Sequence, residues 1–132
     1  MSGLRNCVLV VEDEALIAMG FVAQVEDMGL SVCAIADSAE QAMREAETHR
    51  PGVVLMDVRL RGQADGVDAA LHIHDKVGSK VVFVTGSRET ATIERINLDH
   101  PFAVMFKPVL ERQLRAVIED AMRAALAGEE GS

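Results

Sequence analysis

Five polar residues of complementary chemistry follow short apolar runs at separate places in this chain. Glu12 and Asp13 follow the first run, and Asp57, Thr85 and Lys107 each end or follow a later one. Three carboxylates that converge cannot all stay ionised without a counter-charge, and Mg²⁺ (or Mn²⁺) is the hard cation that oxygen ligands hold best. Beside such a cation, an Asp oxygen can attack a phosphoryl group while a lysine and a hydroxyl bind its oxygens. The five residues therefore indicate phosphoryl transfer, provided that the fold brings them together.

Taken singly, each of these residues also has a simpler structural interpretation. Asp57 can cap a turn, and Glu12 and Asp13 can be acids that favour a helix N-terminus. Thr85 can be an ordinary strand residue, and Lys107 a solvated surface lysine. Their placement relative to one another has to decide between these interpretations.

The apolar pattern predicts five strands alternating with five helices. The predicted strands are 7–11, 31–36, 53–57, 80–85 and 102–106, and the predicted helices are 14–28, one capped by Asp37 or Ser38, one starting at Asp65, 88–97 and 110–126. Pro51-Gly52 is interpreted as a break before the third strand. This alternation indicates an α/β fold with a parallel sheet covered on both faces, in which sites lie at the carboxyl ends of the strands. All five polar residues fall at such ends.

Length and composition fit one globular domain over residues 1–132, with a core of about 5–127 and a polar tail at 128–132. The net charge of −8 and the lack of Trp and Tyr disfavour binding to nucleic acid or to an anionic membrane. Cys7 and Cys33 lie in apolar runs and are interpreted as buried free thiols, which favours a reducing cytoplasm. No run is long enough to predict a membrane span.

The sequence resembles the receiver domain of bacterial two-component response regulators over essentially its whole length. Four segments carry the resemblance: Val8-Leu9-Val10-Val11-Glu12-Asp13-Glu14, Val54-Leu55-Met56-Asp57, Val84-Thr85-Gly86 and Lys107-Pro108. None of the segments is specific alone, but their order and spacing are specific together. The resemblance implies a flavodoxin-like (βα)5 three-layer sandwich, whose five-stranded parallel sheet has the order 2-1-3-4-5.

The resemblance also implies a role for each candidate residue. Asp57 would be the phosphoacceptor, Thr85 the switch hydroxyl and Lys107 the phosphate-binding lysine. Asp13, Asp57 and the backbone carbonyl of Arg59 would be direct ligands of Mg²⁺, and Glu12 would be an outer-sphere acid. A cis peptide bond is expected between Lys107 and Pro108.

The resemblance implies a stand-alone receiver, with no residues left for an effector domain unless the chain is part of a longer protein. It would take a phosphoryl group from a histidine kinase or phosphotransfer protein and change its contacts with a downstream protein, with no enzymatic activity beyond its own phosphorylation and dephosphorylation. One alternative is a Mg²⁺-dependent phosphohydrolase of the haloacid dehalogenase type, but this needs a carboxylate two residues after the nucleophile, where Arg59 stands. The other is a receiver-like binding module that is not phosphorylated, although the site residues that it would have lost are all present.

Two departures from the usual receiver pattern bear on mechanism. Val104 stands where most receivers have an aromatic residue, which rotates inward when the switch hydroxyl engages the phosphate. The segment around Thr85-Gly86 is similar to the Phe-Ala-Thr-Gly pattern of a receiver subgroup that also lacks this aromatic, is often stand-alone and pairs with kinases of the HWE type. We therefore expect switching by movement of residues 86–96. The Arg59 side chain is expected beside the phosphoryl entry path, where it would attract a phosphodonor or shield the aspartyl phosphate, unless it is merely an exposed loop residue.

Overall fold

The computed structural model describes residues 3–130 and confirms the predicted alternation of strands and helices. The elements are β1 Arg5–Val11, α1 Ala15–Asp27, β2 Ser31–Ala36, α2 Ala39–His49, β3 Pro51–Met56, α3 Gly66–Lys76, β4 Lys80–Thr85, α4 Thr90–Leu98, β5 Ala103–Phe106 and α5 Glu111–Glu130. The strands form one sheet in the order β2-β1-β3-β4-β5, and every neighbouring pair is parallel. The flavodoxin-like fold and its strand order are therefore confirmed.

The helices cover both faces of the sheet, so the core has two layers. Helices α1 and α5 pack on one face, where the largest buried residues include Leu55, Leu114, Ile118, Val10 and Val25. Helices α2, α3 and α4 pack on the other, where they include Leu9, Met56, Phe83, Ile73 and Ile96. The central strand β3 is buried along all six residues, as expected of a strand covered on both faces. Asp57 therefore directly follows the central strand, which is buried on both faces.

Two of the helix starts predicted from sequence are confirmed by their caps. The Ser38 hydroxyl accepts a hydrogen bond from the Gln41 N–H and begins α2. Asp65 begins α3 with a capping box, in which its carboxylate accepts from the Asp68 N–H while the Asp68 carboxylate accepts from the Asp65 N–H. The α3 cap fixes where the loop that follows Asp57 ends.

The interpretation of Pro51-Gly52 as a break before the third strand is wrong, because both residues belong to β3. The turn lies one residue earlier, at Arg50, which ends α2 with a φ of 49°. Proline is tolerated as the first residue of a strand, where its missing N–H leaves no ladder bond unmade. Gly52 is needed inside the strand because a Cβ there would press on the Met122 sulfur, 2.6 Å away, and on the Arg5 carbonyl.

The last helix is longer than predicted. It continues past Leu126 to Glu130, so the start of the expected polar tail at Gly128 is helical, and residues 131–132 lie outside the described part. A glycine in a helix costs only about 1 kcal/mol relative to alanine, and no proline follows to stop the helix. Within residues 3–130, no helix combines the length and apolar character that crossing a bilayer requires. Cys7 is buried as expected, whereas Cys33 is only partly buried.

Candidate functional site

The carboxyl ends of β1, β3, β4 and β5 bring four of the five predicted side chains, all except Glu12, to the lining of one cleft of about 390 Å³. The residues that line it are Asp13, Glu14, Ile17, Asp57, Arg59, Thr85, Gly86, Ser87 and Lys107. Glu12 is buried and is not part of this lining, but its carboxylate accepts a hydrogen bond from the Lys107 amine. The convergence predicted from the strand ends is therefore what the fold produces, and the simpler interpretation of each residue taken alone no longer accounts for the group.

Three carboxylates form the acidic part of the cleft. Oxygens of Glu12, Asp13 and Asp57 all lie within 4.8 Å of one another, and no other group of three or more acid, His or Cys side chains in residues 3–128 does so. The backbone holds them, because the Glu12 N–H donates to the Ala36 carbonyl and the Asp57 N–H donates to the Val11 carbonyl. Hard oxygen ligands at this spacing fit Mg²⁺ or Mn²⁺.

Lys107 supplies the positive charge of the cleft. Its amine donates to Glu12 Oε1 at 2.7 Å and to Asp57 Oδ2 at 3.3 Å. Burial lowers the pKa of Lys107, but its hydrogen bond to Glu12 and the charges of Asp57 and Glu12 outweigh burial and raise that pKa above its ordinary value. The lysine therefore stays charged. The expected cis peptide bond between Lys107 and Pro108 is confirmed.

Both oxygens of Glu12 already have partners within the protein. One binds Lys107, and the other accepts a hydrogen bond from the Glu14 N–H at 3.2 Å. Asp13 instead lines the open cleft with Asp57. Of the three clustered carboxylates, those of Asp13 and Asp57 thus line the cleft.

Asp57 is 7% exposed, and its surroundings disfavour its charge. Burial and the charge of Glu12 raise the pKa of Asp57 to about 6, because Lys107 offsets only part of their effect. A carboxylate whose ionisation is incompletely compensated gains most from an added cation.

This raised pKa predicts a pH dependence of stability in metal-free buffer. The folded state binds the Asp57 proton more tightly than the unfolded chain, because its pKa of about 6 exceeds the ordinary 3.8. The corresponding stability is present below pH 4 and is lost as the pH rises through about 6. We expect wild-type unfolding free energy to fall relative to Asp57→Asn over this range, by an amount on the order of 2 kcal/mol. Urea denaturation with a chelator measures this difference, and parallel curves for the two proteins would contradict it.

Thr85 ends β4 and is 1% exposed. Its hydroxyl oxygen accepts a hydrogen bond from the Ser87 N–H at 3.1 Å, and a hydroxyl that accepts one bond still has a hydrogen to donate. The Thr85 carbonyl in turn accepts from the Lys107 N–H. Thr85 thus links the lysine and the β4–α4 loop at the cleft.

Arg59 lines the cleft, and its guanidinium lies 3.6 Å from the Glu89 carboxylate with both side chains largely exposed. Glu89 is the N-cap residue of α4, so this pair spans the opening between the loop after β3 and the start of α4. The placement beside the cleft agrees with the expectation from sequence.

Sequence reasoning missed one residue that supports the site and one contact beside it. Gly66 begins α3, its N–H donates to the Val58 carbonyl at 2.7 Å, and a Cβ at this position would overlap the Asp57 carbonyl oxygen. The only available signal was a glycine at a first helical position. The contact is that of Arg88, whose guanidinium carbon lies 4.3 Å from the centre of the Phe106 ring, and no local pattern encodes it.

Comparisons with known proteins agree with this geometry. Residues 8–119 match the family described as "Response regulator receiver domain". The chain is 33% identical to the transcriptional regulatory protein PdtaR of Mycobacterium tuberculosis, covering 87% of this chain and 56% of that protein. It is 34% identical to the phyllosphere-induced regulator PhyR of Methylorubrum extorquens, covering 87% of this chain and 43% of that protein.

A solved structure is similar over nearly the whole chain. The signal receiver domain of a modulated diguanylate cyclase from Desulfovibrio desulfuricans has a TM-score of 0.86 and 33% identity, covering 92% of this chain and 97% of that one. By contrast, the chain spans about half the length of the curated relatives that it matches. The similarity to those relatives thus concerns only a part of each of them.

Proposed function

The chain belongs to the receiver domain family of response regulators, and from this premise we propose that Asp57 accepts the phosphoryl group of its phosphorelay. The observation that carries the proposal is the double contact of the Lys107 amine with Glu12 and Asp57 beside the acidic cluster. It supports a carboxylate nucleophile with a cation positioned for the incoming phosphoryl oxygens. The reaction is limited to phosphorylation of this chain and its reversal.

In the proposed reaction, a carboxylate oxygen of Asp57 attacks the phosphorus of a phosphohistidine. The new O–P bond forms as the N–P bond breaks, and the electron pair of the broken bond stays on the donor imidazole. Lys107 then binds a phosphoryl oxygen, and the Thr85 hydroxyl donates to another. Hydrolysis returns the carboxylate and releases phosphate.

Mg²⁺ or Mn²⁺ would be held by Asp13, Asp57 and the Arg59 carbonyl, with Glu12 as an outer-sphere acid. The fit is supported by the acid spacing, by the raised pKa of Asp57 and by the existing partners of both Glu12 oxygens. The cation would neutralise charge shared by the carboxylates and the phosphoryl oxygens. Asp13 and Asp57 are placed to bind it because both line the cleft.

The phosphodonor is proposed to be a histidine kinase or phosphotransfer protein in the cytoplasm, and the output is proposed to be altered binding of a downstream protein. Support for a protein donor comes from the apolar surface beside the cleft. Leu16 and Met19 of α1 are 84% and 63% exposed, and a groove lined by Phe21, Pro108 and Val109 reaches Lys107. Such a surface suits an apolar helical partner.

The direct test is incubation with Mg²⁺ and phosphoramidate, followed by intact mass measurement and peptide mapping. We expect a gain of one phosphoryl group, located on Asp57 and dependent on the divalent cation. Absence of any mass gain, or a phosphoryl group on another residue, would overturn the proposal.

Arg59 is proposed to attract the anionic phosphodonor to the cleft. Arg59→Ala should slow phosphorylation by phosphoramidate several-fold at low ionic strength, because it removes a cation from the rim. Its pair with Glu89 is exposed, so the free energy of unfolding should change by less than about 0.5 kcal/mol. The matched control is Arg61→Ala, since Arg61 forms a similarly exposed pair with Asp37 but does not line the cleft. Equal rates for all three proteins would remove this role.

Switching is proposed to occur through the segment 86–96. Thr85 engages the Ser87 N–H, so drawing its hydroxyl toward a phosphoryl group disturbs the start of this segment. Helix α4 is weakly anchored, with Ile96 as the one buried residue among its nine. Val104 packs against the hydrophobic core on the side of α2, α3 and α4. Phe106 is the next residue on the same face of β5, and the Arg88 guanidinium lies over its ring.

The Arg88–Phe106 contact is expected to hold this segment in the unphosphorylated state. A cation–π contact at an exposed site contributes about 0.5–1 kcal/mol, so Arg88→Ala should raise amide exchange in residues 86–96 severalfold. Beryllofluoride with Mg²⁺ should likewise change exchange there, while the helix 39–49 serves as the unaffected reference. Identical protection of residues 86–96 in all three samples would contradict this switch.

A further inference from the structure

A second polar cavity lies at the opposite end of the sheet from the phosphorylation cleft. It has a volume of about 270 Å³ and opens beside the amino end of β4. Its lining residues are His74, Ser79, Lys80, Val81, Asp99, His100, Pro101 and Phe102. None of them takes part in the function proposed above.

Asp99 is the unusual member of this cavity. It is 6% exposed, and both of its carboxylate oxygens are buried without a hydrogen-bond partner among residues 3–130. It is also the C-cap residue of α4, where the helix dipole disfavours a negative charge. A buried carboxylate without donors is costly, so this position calls for a cation or a proton.

Two imidazoles flank the carboxylate. His74 lies in the last turn of α3, His100 directly follows Asp99, and their ring centres are 6.1 Å apart. Lys80 lines the same cavity but donates no hydrogen bond to Asp99. Burial, with the charge of Asp75, raises the pKa of Asp99 to about 6, and His74 and His100 offset only part of this effect.

We propose that His74, Asp99 and His100 form a second metal site, which takes a borderline divalent ion such as Zn²⁺. Two imidazoles and one carboxylate are a preferred ligand set for Zn²⁺, with water in the fourth position. The two imidazole nitrogens distinguish this site from the all-oxygen cluster at the other end of the sheet, which suits Mg²⁺.

The spacing of the two imidazoles is close to that of two ligands of one ion. Two imidazoles that share one Zn²⁺ at about 2.0–2.1 Å have ring centres roughly 5–6 Å apart. The three ligand atoms do not yet meet within 4.8 Å, since only the acidic cluster of Glu12, Asp13 and Asp57 does so among residues 3–128. Binding therefore draws the end of α3 and the end of α4 together. The bound ion would link the C-terminus of α4 to the last turn of α3 and so stabilise the position of α4.

The test measures Zn²⁺ binding to the full chain in excess Mg²⁺, by calorimetry and by the visible spectrum of Co²⁺ as a substitute. We expect one Zn²⁺ per chain, retained in Asp57→Asn and weakened at least tenfold in His74→Ala and in Asp99→Asn. Zn²⁺ should also increase amide protection in α4. Co²⁺ should give the spectrum of nitrogen ligation in the wild type and lose it in His74→Ala.

Two further variants make the result specific. His100→Asn removes the imidazole but tolerates the observed φ of 52°, and it should weaken Zn²⁺ as His74→Ala does. His72→Ala is the control on the same helix, because His72 pairs with Glu47 outside the cavity, and it should bind Zn²⁺ normally. Absence of Zn²⁺ binding in excess Mg²⁺, or equal binding by wild type and Asp99→Asn, would overturn the proposal. Equal loss in His72→Ala would do the same.

Discussion

Asp57→Asn is expected to reduce phosphorylation by phosphoramidate to the level of a sample without phosphodonor. The amide keeps the size of the side chain but lacks the carboxylate that attacks phosphorus. The variant should remain folded, and in metal-free buffer at neutral pH it should be more stable than the wild type, because it removes a buried charge beside Glu12. Intact mass spectrometry measures the first effect and urea denaturation the second.

Asp13→Asn tests the proposed metal site without removing the proposed nucleophile. Asp13 faces the cleft but is not the proposed acceptor, so this variant should still be phosphorylated on Asp57 while needing a higher Mg²⁺ concentration. Full phosphorylation of Asp57→Asn would show that another side chain is the acceptor. An unchanged Mg²⁺ requirement in Asp13→Asn would remove that residue from the metal site.

Gly66→Ala is expected to destabilise the protein by at least about 2 kcal/mol and to slow phosphorylation. Its Cβ would overlap the Asp57 carbonyl oxygen and press on the Val58 Cα at 3.0 Å. Both neighbours are backbone atoms, and the Gly66 N–H is bound to the Val58 carbonyl, so relief requires moving the segment that carries the nucleophile. Urea denaturation and the phosphoramidate assay measure the two effects.

Gly20→Ala provides the matched control. Gly20 is also helical, but a Cβ there would meet no atom within 4 Å. The higher helix propensity of alanine should stabilise this variant by up to about 1 kcal/mol, with phosphorylation unchanged. If Gly66→Ala behaves like Gly20→Ala, the close approach of α3 to Asp57 does not constrain the site.

The sequence was sufficient for the sheet and for the position of the cleft because both depend on strongly patterned segments. Runs such as 53–56 and 81–84 are apolar throughout, which favours strands buried on both faces. Once five parallel strands are assumed, their carboxyl ends must share an edge, and Asp57 and Lys107 must meet there. The capping box of Asp65 was readable because its two members are close in sequence.

Features that depend on contacts between distant segments could not be read in this way. Pro51-Gly52 has the composition of a turn, yet Pro51 starts a strand because Arg50 takes the left-handed conformation first. The buried state of Asp99 and the contact of Arg88 with Phe106 depend on how α4 settles on the sheet. The weak apolar pattern of α4 leaves that placement undetermined.

The hydrogen bond from Lys107 to Glu12 joins residues 95 positions apart in the chain. During synthesis, the nucleophile and the acids emerge well before the lysine that completes their charge balance. On the proposed function, competence to receive a phosphoryl group therefore requires synthesis of the chain through Lys107.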